Sequence, residues 1–277
     1  MSAAGGQMTI GVFDSGFGGL TVLRELLPLI PGAHYIYLGD TARLPYGSKS
    51  QTTIARYAVE SARFLESHGA DRLVIACNTA SALAIEEIRG SVKVPVTGVI
   101  EPAVDAAHHR HPGSDVLVLA TSATVQSHAY RLHCAGRGLR ASEKACPLLV
   151  PLVEEGWVDH AVTREIIRIY LCEALSACSP KAVLLGCTHY PLIAPAIESI
   201  LGDLGSQAEV IDSARATAIA IAVASGVERN IRPSHPASTG PATFQCYATD
   251  STEKFARLGS QFLGRQIPRV ELLDLGG

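Results

Sequence analysis

Two cysteines stand where a thiol can act as a base or a nucleophile. Cys77 follows an apolar run over residues 73–76, and Cys187 follows one over residues 182–185. Each run is expected to be a strand followed by a helix, so both sulfurs should lie near a helix N-terminus. Unpaired N–H groups there lower the pKa of a thiol and favour the thiolate. A lone cysteine is ordinarily a small buried apolar residue, but this matched placement favours a chemical role.

The helices that follow the two cysteines have recognisable starts. Asn78, Thr79 or Ser81 is predicted to cap the first helix with its side chain. Pro191 is predicted to occupy the first position of the second helix, where its missing N–H costs nothing. Both cysteines are therefore expected in strand-turn-helix units.

Three further loops at expected strand ends carry hydroxyl groups and backbone N–H donors. Asp14 and Ser15 precede a helix, which favours capping by one of them, although the loop could also hold an anion, and Asp14 could bind an ammonium group or orient a thiol. Residues 38–47 contain a Pro-Tyr-Gly turn, and residues 121–124 begin another helix. Arg43 is the one guanidinium in these loops. Such donors suit an amino acid better than a polyphosphate.

Other polar clusters are assigned structural roles. The histidine-rich tract 108–111 is expected at a helix end before Pro112, where histidines complement the helix dipole, so no metal site is predicted. Glu154 and Glu155 either form a solvated face or reach into a cleft, and their sequence context by itself favours the solvated face. His128, His133 and Cys134 are expected on one helix, but their spacing does not bring three metal ligands together. Cys146, Cys172, Cys178 and Cys246 have no chemical neighbours in the sequence and are expected to pack.

Short apolar runs alternate with segments of helical period, which predicts an α/β fold with doubly wound, largely parallel sheets. Amphipathic helices are expected with buried stripes at Ile54, Tyr57, Ala58, Ser61, Ala62 and Leu65, and at Val162, Ile166, Ile169 and Tyr170. The expected strands are Met8 to Phe13, Tyr35 to Leu38, Leu73 to Ala76, Val94 to Val99, Val116 to Ala120, Ala182 to Leu185, Glu209 to Ile211 and Phe244 to Tyr247.

The two cysteine units resemble each other and indicate a weak internal repeat, with one unit in each of two similar lobes. Ligands of open α/β sheets bind at the carboxyl ends of strands, so facing lobes would bring both cysteines to one cleft. We expect one lobe over residues 8–101 plus 212–277 and the other over 102–211. Residues 1–7 are expected to be disordered, and residues 233–240 to form a surface loop.

Composition excludes several classes of protein. The 277 residues are 47% hydrophobic and 18% charged, which argues against intrinsic disorder. A formal net charge of −3 argues against a nucleic-acid surface, and no run is long and apolar enough for a membrane span. Without a visible secretory signal, the protein is expected in the cytoplasm with its seven cysteines reduced.

Seven segments, in order along the chain, resemble the cofactor-independent glutamate racemases of the aspartate/glutamate racemase superfamily. The cysteines within A-C-N-T-A-S and G-C-T-H-Y-P-L are the most specific features of the resemblance. The segments are FDSGFGGLTVLREL (13–26), GDTARLPYG (39–47), IACNTAS (75–81), ATSATVQSHAY (120–130), CPLLVPLVEEG (146–156), LLGCTHYPLI (184–193) and FQCYATDSTEKFARLGSQFLG (244–264).

The resemblance implies roles for individual residues. It implies that Cys77 and Cys187 are the catalytic thiols and that other side chains assist them or contact substrate. The implied assisting residues are Asp14, Asp40, Glu154 and His189. The implied substrate-binding residues are Asp14, Ser15, Pro45, Tyr46, Gly47, Asn78, Thr79, Thr121, Thr124, Thr188 and His189.

The implied reaction is interconversion of L- and D-glutamate, in which one thiolate removes the α-proton and the opposing thiol returns a proton to the other face. No cofactor is expected. Pyridoxal phosphate would need a lysine near a phosphate-binding loop, but none of the five lysines lies in such a motif. Lys181 should lie at the start of its strand, far from the carboxyl end where ligands bind. The family supplies D-glutamate for peptidoglycan. A homodimer is an expected assembly, and a second role in restraining DNA gyrase stays open to a supercoiling assay.

Other functions remain as alternatives. One is a racemase of another small amino acid or a hydantoin, or a one-cysteine decarboxylase, although the second cysteine disfavours the decarboxylase. Another is a two-lobed amino-acid receptor in which the thiols only line a pocket. Turnover of glutamate separates an enzyme from a receptor.

Overall fold

The computed structural model describes residues 7–227 and 242–275. Within these ranges ten strands form a six-stranded and a four-stranded sheet, and every strand pair in both sheets is parallel. The predicted α/β fold with parallel sheets is confirmed. The expected loop at 233–240 and residues 1–6 of the expected disordered segment lie outside the described residues.

The larger sheet, in strand order, contains β10 (Val270–Leu272), β9 (Thr243–Ala248), β2 (His34–Gly39), β1 (Thr9–Asp14), β3 (Arg72–Ile75) and β4 (Val96–Gly98). The smaller sheet contains β6 (Arg140–Ala145), β5 (Asp115–Ala120), β7 (Ala182–Gly186) and β8 (Glu209–Asp212).

Helices connect the strands and cover the sheets. They are α1 (Leu20–Leu29), α2 (Gln51–Ser67), α3 (Asn78–Leu83), α4 (Ile85–Ser91), α5 (Ile100–Arg110), α6 (Ser122–Gln126), α7 (Ala129–Gly136), α8 (Leu149–Glu154), α9 (Ala161–Leu175), α10 (Ala194–Asp203), α11 (Ser213–Ala224) and α12 (Thr252–Leu263). Short 3₁₀ turns cover Thr41–Arg43, Tyr46–Ser48 and Tyr190–Ile193.

The two sheets repeat one strand order. The order β2-β1-β3-β4 in the larger sheet corresponds to β6-β5-β7-β8 in the smaller one, so β3 and β7 occupy equivalent central positions. Cys77 comes two residues after β3 and Cys187 directly after β7. The topology thus agrees with the internal repeat inferred from the two cysteine units.

The predicted lobe boundaries separate the strands of the two sheets, except that Asp212, the last residue of β8, lies one residue beyond them. One hydrophobic cluster nevertheless includes core residues of both sheets, among them Val12 and Tyr35 on one side and Leu119 and Leu185 on the other. The lobes therefore share part of their core, and their division at those boundaries stays a prediction.

Two sequence expectations about individual elements are wrong or incomplete. The buried face of α9 consists of Thr163, Ile167 and Leu171, whereas Val162 and Ile169 of the expected stripe are exposed. Strands β6 and β10 were not predicted. The sequence of β6, RASEKA, contains no apolar run because it is a partly exposed edge strand, and β10 has only three residues.

Candidate active site

A cavity of about 300 Å³ opens at the carboxyl ends of the two sheets, and both Cys77 and Cys187 lie in its wall. Each cysteine is only 5% exposed. The two thiols therefore border one space from opposite lobes. Its volume is at the small end of the range for small-molecule sites.

Cys77 itself caps helix α3. Its sulfur accepts a hydrogen bond from the Ala80 N–H at 3.4 Å, and its thiol donates to the Ser15 hydroxyl at 3.5 Å. The expected caps Asn78, Thr79 and Ser81 are instead residues of the helix. The sulfur takes the capping position because α3 already begins at Asn78, directly after Cys77.

The helix start does not lower the pKa of Cys77 overall, contrary to expectation. Burial, followed by the nearby Asp14 carboxylate, raises the pKa of this thiol to about 12. The hydrogen bonds from Ala80 and Ser15 act in the opposite direction but are outweighed. Cys77 is therefore a proton-bearing thiol at neutral pH in this arrangement.

Cys187 lies beside a charged pair. His189 Nδ1 is 3.9 Å from the Cys187 sulfur, and His189 Nε2 is 3.0 Å from Glu154 Oε1. Burial alone lowers the pKa of His189, but the contacts with Cys187 and Glu154 outweigh it and raise that pKa to about 10. An imidazolium next to the sulfur stabilises negative charge there, so the two cysteines have opposite electrostatic surroundings.

The turn after Cys187 differs slightly from its expectation. Residues Tyr190–Ile193 form a 3₁₀ turn in which Pro191 is the second residue rather than the first, and α10 begins after it at Ala194. This turn holds the Cys187 loop through Tyr190, whose hydroxyl donates to the Cys146 carbonyl at 3.0 Å.

Asp14 lies behind the wall on the Cys77 side. It does not cap α1: Gly19, the residue directly before the helix, occupies the capping position, and no side chain caps this helix. Asp14 Oδ2 accepts the Gly16 N–H at 3.0 Å, and Oδ1 is buried without a hydrogen-bond partner among the described residues. Burial raises the pKa of Asp14, although the charge of His189 and neighbouring backbone N–H groups oppose the increase.

Asp40 supports the wall of the cavity rather than forming it. Its Oδ2 accepts the Tyr46 hydroxyl at 2.6 Å, and its Oδ1 accepts the Thr249 hydroxyl at 2.9 Å. Tyr46 lines the cavity, and Arg43 lies 3.7 Å from the same carboxylate. Asp40 thus holds the Tyr46 side chain in place from behind the cavity wall and does not itself line the cavity.

Hydroxyl groups connect the two lobes across the cavity. Thr79 Oγ1 is 3.2 Å from Thr121 Oγ1 and 3.3 Å from Thr124 Oγ1, while Thr121 and Thr124 are 2.9 Å apart. Thr121 also caps α6 by accepting the Thr124 N–H. Thr79 and Thr121 line the cavity, whereas Thr124 is buried behind them.

Comparison with known proteins identifies the family of the chain. The family described as Asp/Glu/Hydantoin racemase matches residues 10–221. The glutamate racemase of Koribacter versatilis is 48% identical over 287 aligned residues, which cover 97% of this chain and 98% of that protein. The chain belongs to the glutamate racemases. It is therefore a member of a family of isomerases, as predicted.

Solved structures of glutamate racemases have the same fold. The enzyme from Thermus thermophilus in complex with beta-chloro-D-alanine is 39% identical, with a TM-score of 0.83 and coverage of 97% of this chain and 98% of that one. The enzyme from Francisella tularensis in complex with D-glutamate is 31% identical, with a TM-score of 0.83 and the same coverages.

Most residues that the racemase resemblance selected line the cavity, but three do not. Asp14, Asp40 and Thr124 are buried behind the wall. Glu154, which local sequence context assigned to a solvated face, reaches the cavity, whereas Glu155 is exposed. The predicted residues in the wall are Ser15, Pro45, Tyr46, Gly47, Cys77, Asn78, Thr79, Thr121, Glu154, Cys187, Thr188 and His189.

Sequence reasoning missed part of the apolar wall. Leu44, Pro147, Val150 and Pro151 line the cavity. Ser122 also lines it and belongs to the hydroxyl-bearing loop 121–124 that the sequence indicated. Pro147, Val150 and Pro151 follow β6, which was not predicted, so the sequence offered no strand end to place them near the cleft. Leu44 directly precedes the Pro-Tyr-Gly turn and was available from that signal.

The charges of the cavity wall favour recognition without a lysine or arginine. Among the described residues, the lining includes neither type, and His189 is its cationic group. Arg43 instead lies over the Tyr57 ring, 4.3 Å from its centroid, and pairs with Glu60 at 2.7 Å. A carboxylate in the cavity would be bound by hydroxyl, amide and N–H donors.

The described residues form neither a metal site nor a membrane-spanning helix. No group of three or more His, Cys, Asp or Glu side chains is placed to hold a metal ion within residues 7–227 and 242–275. His111, at the end of the histidine tract, instead pairs with Glu209 at 2.8 Å. No helix in these ranges is long and apolar enough to cross a bilayer.

Gly18 packs closely against the loop that contains Thr188 and His189, and a substitution can test whether the site requires this contact. A Cβ there would lie 2.3 Å from Thr188 Oγ1 and 2.6 Å from the His189 ring. We expect Gly18→Ala to displace the His189 loop. The variant should lower kcat/KM for glutamate by about 100-fold, since small misplacements of reacting groups greatly reduce the reaction rate. Steady-state kinetics measure the loss.

Gly202→Ala is the matched control, because a Cβ at Gly202 has no atom within 4 Å. This variant should retain wild-type kcat/KM. Wild-type turnover by Gly18→Ala would contradict the requirement for close contact between Gly18 and the His189 loop.

Proposed function

We propose that this protein interconverts L- and D-glutamate by proton transfer between two cysteines. The observation that carries the proposal is the position of Cys77 and Cys187, which lie at equivalent strand ends of two repeated sheets and in the wall of one small cavity. Membership of the glutamate racemases supports glutamate as the substrate.

In the proposed reaction, the thiolate of one cysteine removes the α-proton of glutamate and becomes a thiol. The C–H electron pair remains on a planar carbanion between the lobes. The thiol of the other cysteine then donates its proton to the opposite face and becomes a thiolate. Each acid/base group can contribute on the order of 10²- to 10⁴-fold in rate, so binding and stabilisation of the carbanion must supply the rest.

The surroundings of the two cysteines differ. The high pKa of Cys77 favours a thiol, which can return a proton to the substrate. The His189 ring lies 3.9 Å from the Cys187 sulfur, where its positive charge would offset the negative charge that forms when Cys187 acts as the base. One direction of the proposed reaction uses Cys187 as the base and Cys77 as the acid, and the opposite direction exchanges these roles.

Substrate binding is assigned to the donors of the wall. Ser15, Asn78, Thr79, Thr121 and Thr188 offer hydroxyl, amide and backbone N–H groups to the two carboxylates of glutamate. Asp14, behind Cys77, carries an unpaired carboxylate oxygen and is assigned to assist proton movement on that side. Asp40 and Thr124 act through Tyr46 and Thr121.

The proposed product, D-glutamate, would serve peptidoglycan synthesis in the cytoplasm. Support for this pathway and location comes from the family resemblance. A homodimer is the proposed assembly on the same ground, and size-exclusion chromatography with light scattering tests it through a measured mass of twice 29.2 kDa.

Deuterium incorporation tests the proposed reaction. L- or D-glutamate is incubated with the protein in deuterated water without cofactors, while optical activity and α-proton exchange are followed together. We expect deuterium first in the product enantiomer, because the returning proton comes from the second cysteine rather than from the first. The remaining substrate should stay largely protiated at early times.

Three outcomes would contradict the proposal. If the optical activity of glutamate is lost only after a cofactor is added, the proposed cofactor-free reaction of the two thiols is excluded. Tight glutamate binding without exchange would identify a receptor. Parallel assays with L- and D-aspartate test specificity, and faster turnover of aspartate would overturn glutamate as the substrate.

A further inference from the structure

Tyr130 joins the two cysteine loops without touching the cavity. It lies on α7 of the smaller lobe and is fully buried. Its hydroxyl donates a hydrogen bond to Asn78 Oδ1 in the other lobe at 2.7 Å. Asn78 directly follows Cys77 in the chain, so this contact reaches the Cys77 loop.

The ring of Tyr130 also lies against the Cys187 loop. Gly186 directly precedes Cys187, and a Cβ on Gly186 would be 3.1 Å from Tyr130 Cε2. Burial raises the pKa of Tyr130 well above its ordinary value, which keeps the hydroxyl protonated and able to donate. The ring is thus held by one loop while its hydroxyl contacts the other.

The bond from Tyr130 determines which end of the Asn78 amide remains available. Asn78 Oδ1 is occupied by the tyrosine, and Nδ2 is buried with no hydrogen-bond partner among the described residues. Asn78 lies in the cavity wall. A buried amide donor requires an acceptor, and a substrate carboxylate oxygen can provide it.

We propose that Tyr130 is a positioning residue for substrate binding: it holds the Asn78 amide with its NH₂ group available to a carboxylate of the substrate. The proposal rests on the proposed function for glutamate as the ligand. Loss of the hydroxyl would leave the amide free to turn its oxygen toward the carboxylate, where two acceptors repel each other.

Kinetics of Tyr130→Phe test this role. We expect KM for both L- and D-glutamate to rise about tenfold, as for the loss of one hydrogen bond to a charged group, while kcat changes less than threefold. In an Asn78→Ala background, Tyr130→Phe should cause no further increase, because the donor that it positions is already absent. If Tyr130→Phe raises KM by the same factor in the Asn78→Ala background as in the wild type, the proposal is overturned.

Tyr35→Phe is the matched control, since it removes a buried hydroxyl that donates to the Leu26 and Ile30 carbonyls away from the cavity. It should lower the melting temperature without changing KM. An equal KM increase in this control would indicate a purely structural effect and would overturn the positioning role.

Asn78→Asp gives a test that does not depend on the folding of Tyr130→Phe. This variant keeps an oxygen for Tyr130 but replaces the NH₂ donor, so KM should rise at least as much as in Asn78→Ala. Wild-type KM in Asn78→Asp would overturn the proposal. The assay of the wild-type protein separates the two hypotheses. If the wild type does not turn over glutamate, the proposed function is refuted. If the wild type turns over glutamate and Tyr130→Phe has the same KM as the wild type, only the role of Tyr130 is refuted.

Discussion

Replacement of either Cys77 or Cys187 by alanine is expected to lower racemisation of glutamate by on the order of 10⁴-fold, the upper end of what one acid/base group contributes, because each substitution removes the only such group proposed on one face of the carbanion. The remaining cysteine can still remove an α-proton from its own face and return one there. Each variant should therefore retain slow deuterium exchange of one enantiomer without inversion. The two variants should prefer opposite enantiomers, which proton NMR in deuterated water measures.

Cys246→Ala and Cys134→Ala are suitable controls, since both remove a buried thiol, one from each sheet region, away from the cavity. They should lose stability without losing racemisation. Near-normal turnover in Cys77→Ala or Cys187→Ala, with the protein folded by circular dichroism, would refute the two-cysteine reaction. Retained exchange of both enantiomers in one variant would show that the acid/base group on the substituted face is not the replaced cysteine.

The repeated arrangement of the two cysteines was predictable because it depends on local sequence. Residues 73–75 and 182–185 are apolar and lie in internal strands of the two sheets, as expected for short apolar runs in parallel sheets that are covered on both faces. A residue just beyond such a strand must lie at the carboxyl edge of its sheet. The family resemblance then supplied which of the surrounding polar residues belong to the site.

Features that depend on contacts between distant segments were not predictable in this way. The pKa of Cys77 depends on the depth of burial and on Asp14, while helix position alone suggested a shift in the opposite direction. The pairing of Glu154 with His189 brings together residues from different elements. The buried face of α9 was misassigned because apolar residues occur on more than one side of that helix.

The same limit applies to Tyr130, which lies in the racemase-like segment 120–130 but whose position in the sequence indicates no role. Its partner Asn78 is 52 positions earlier in the chain and belongs to the other lobe. Residue types indicate that both can form hydrogen bonds, but only the packing of α7 against the Cys77 loop pairs them. Chemistry at strand ends is thus visible in the sequence, whereas the residues that orient it require the fold.

His189→Asn is expected to lower kcat by about 100- to 1,000-fold, because the variant lacks the cation beside Cys187. The pKa of His189 is raised to about 10, so wild-type kcat/KM should decline as pH rises through about 10 and the imidazolium is lost. The variant should lack this decline. Glu154→Gln should retain part of the activity and shift the decline to lower pH, since one contact that raises the pKa is weakened. Rates from pH 6 to 11 measure all three profiles.

The stability of His189→Asn should change with pH in a defined direction. Because the pKa of His189 is higher in the folded protein than the ordinary 6.5, its stabilising contribution is complete below pH 6.5 and is lost as pH rises through about 10. The wild type should exceed the variant in free energy of unfolding most at pH 6 and least at pH 10. His111→Asn is the control, since it removes a histidine paired with Glu209 outside the cavity and should leave kcat unchanged. A stability difference between wild type and His189→Asn that grows from pH 6 to pH 10 would show that His189 is neutral in the folded protein, and the proposed thiolate at Cys187 would then lack its counter-charge.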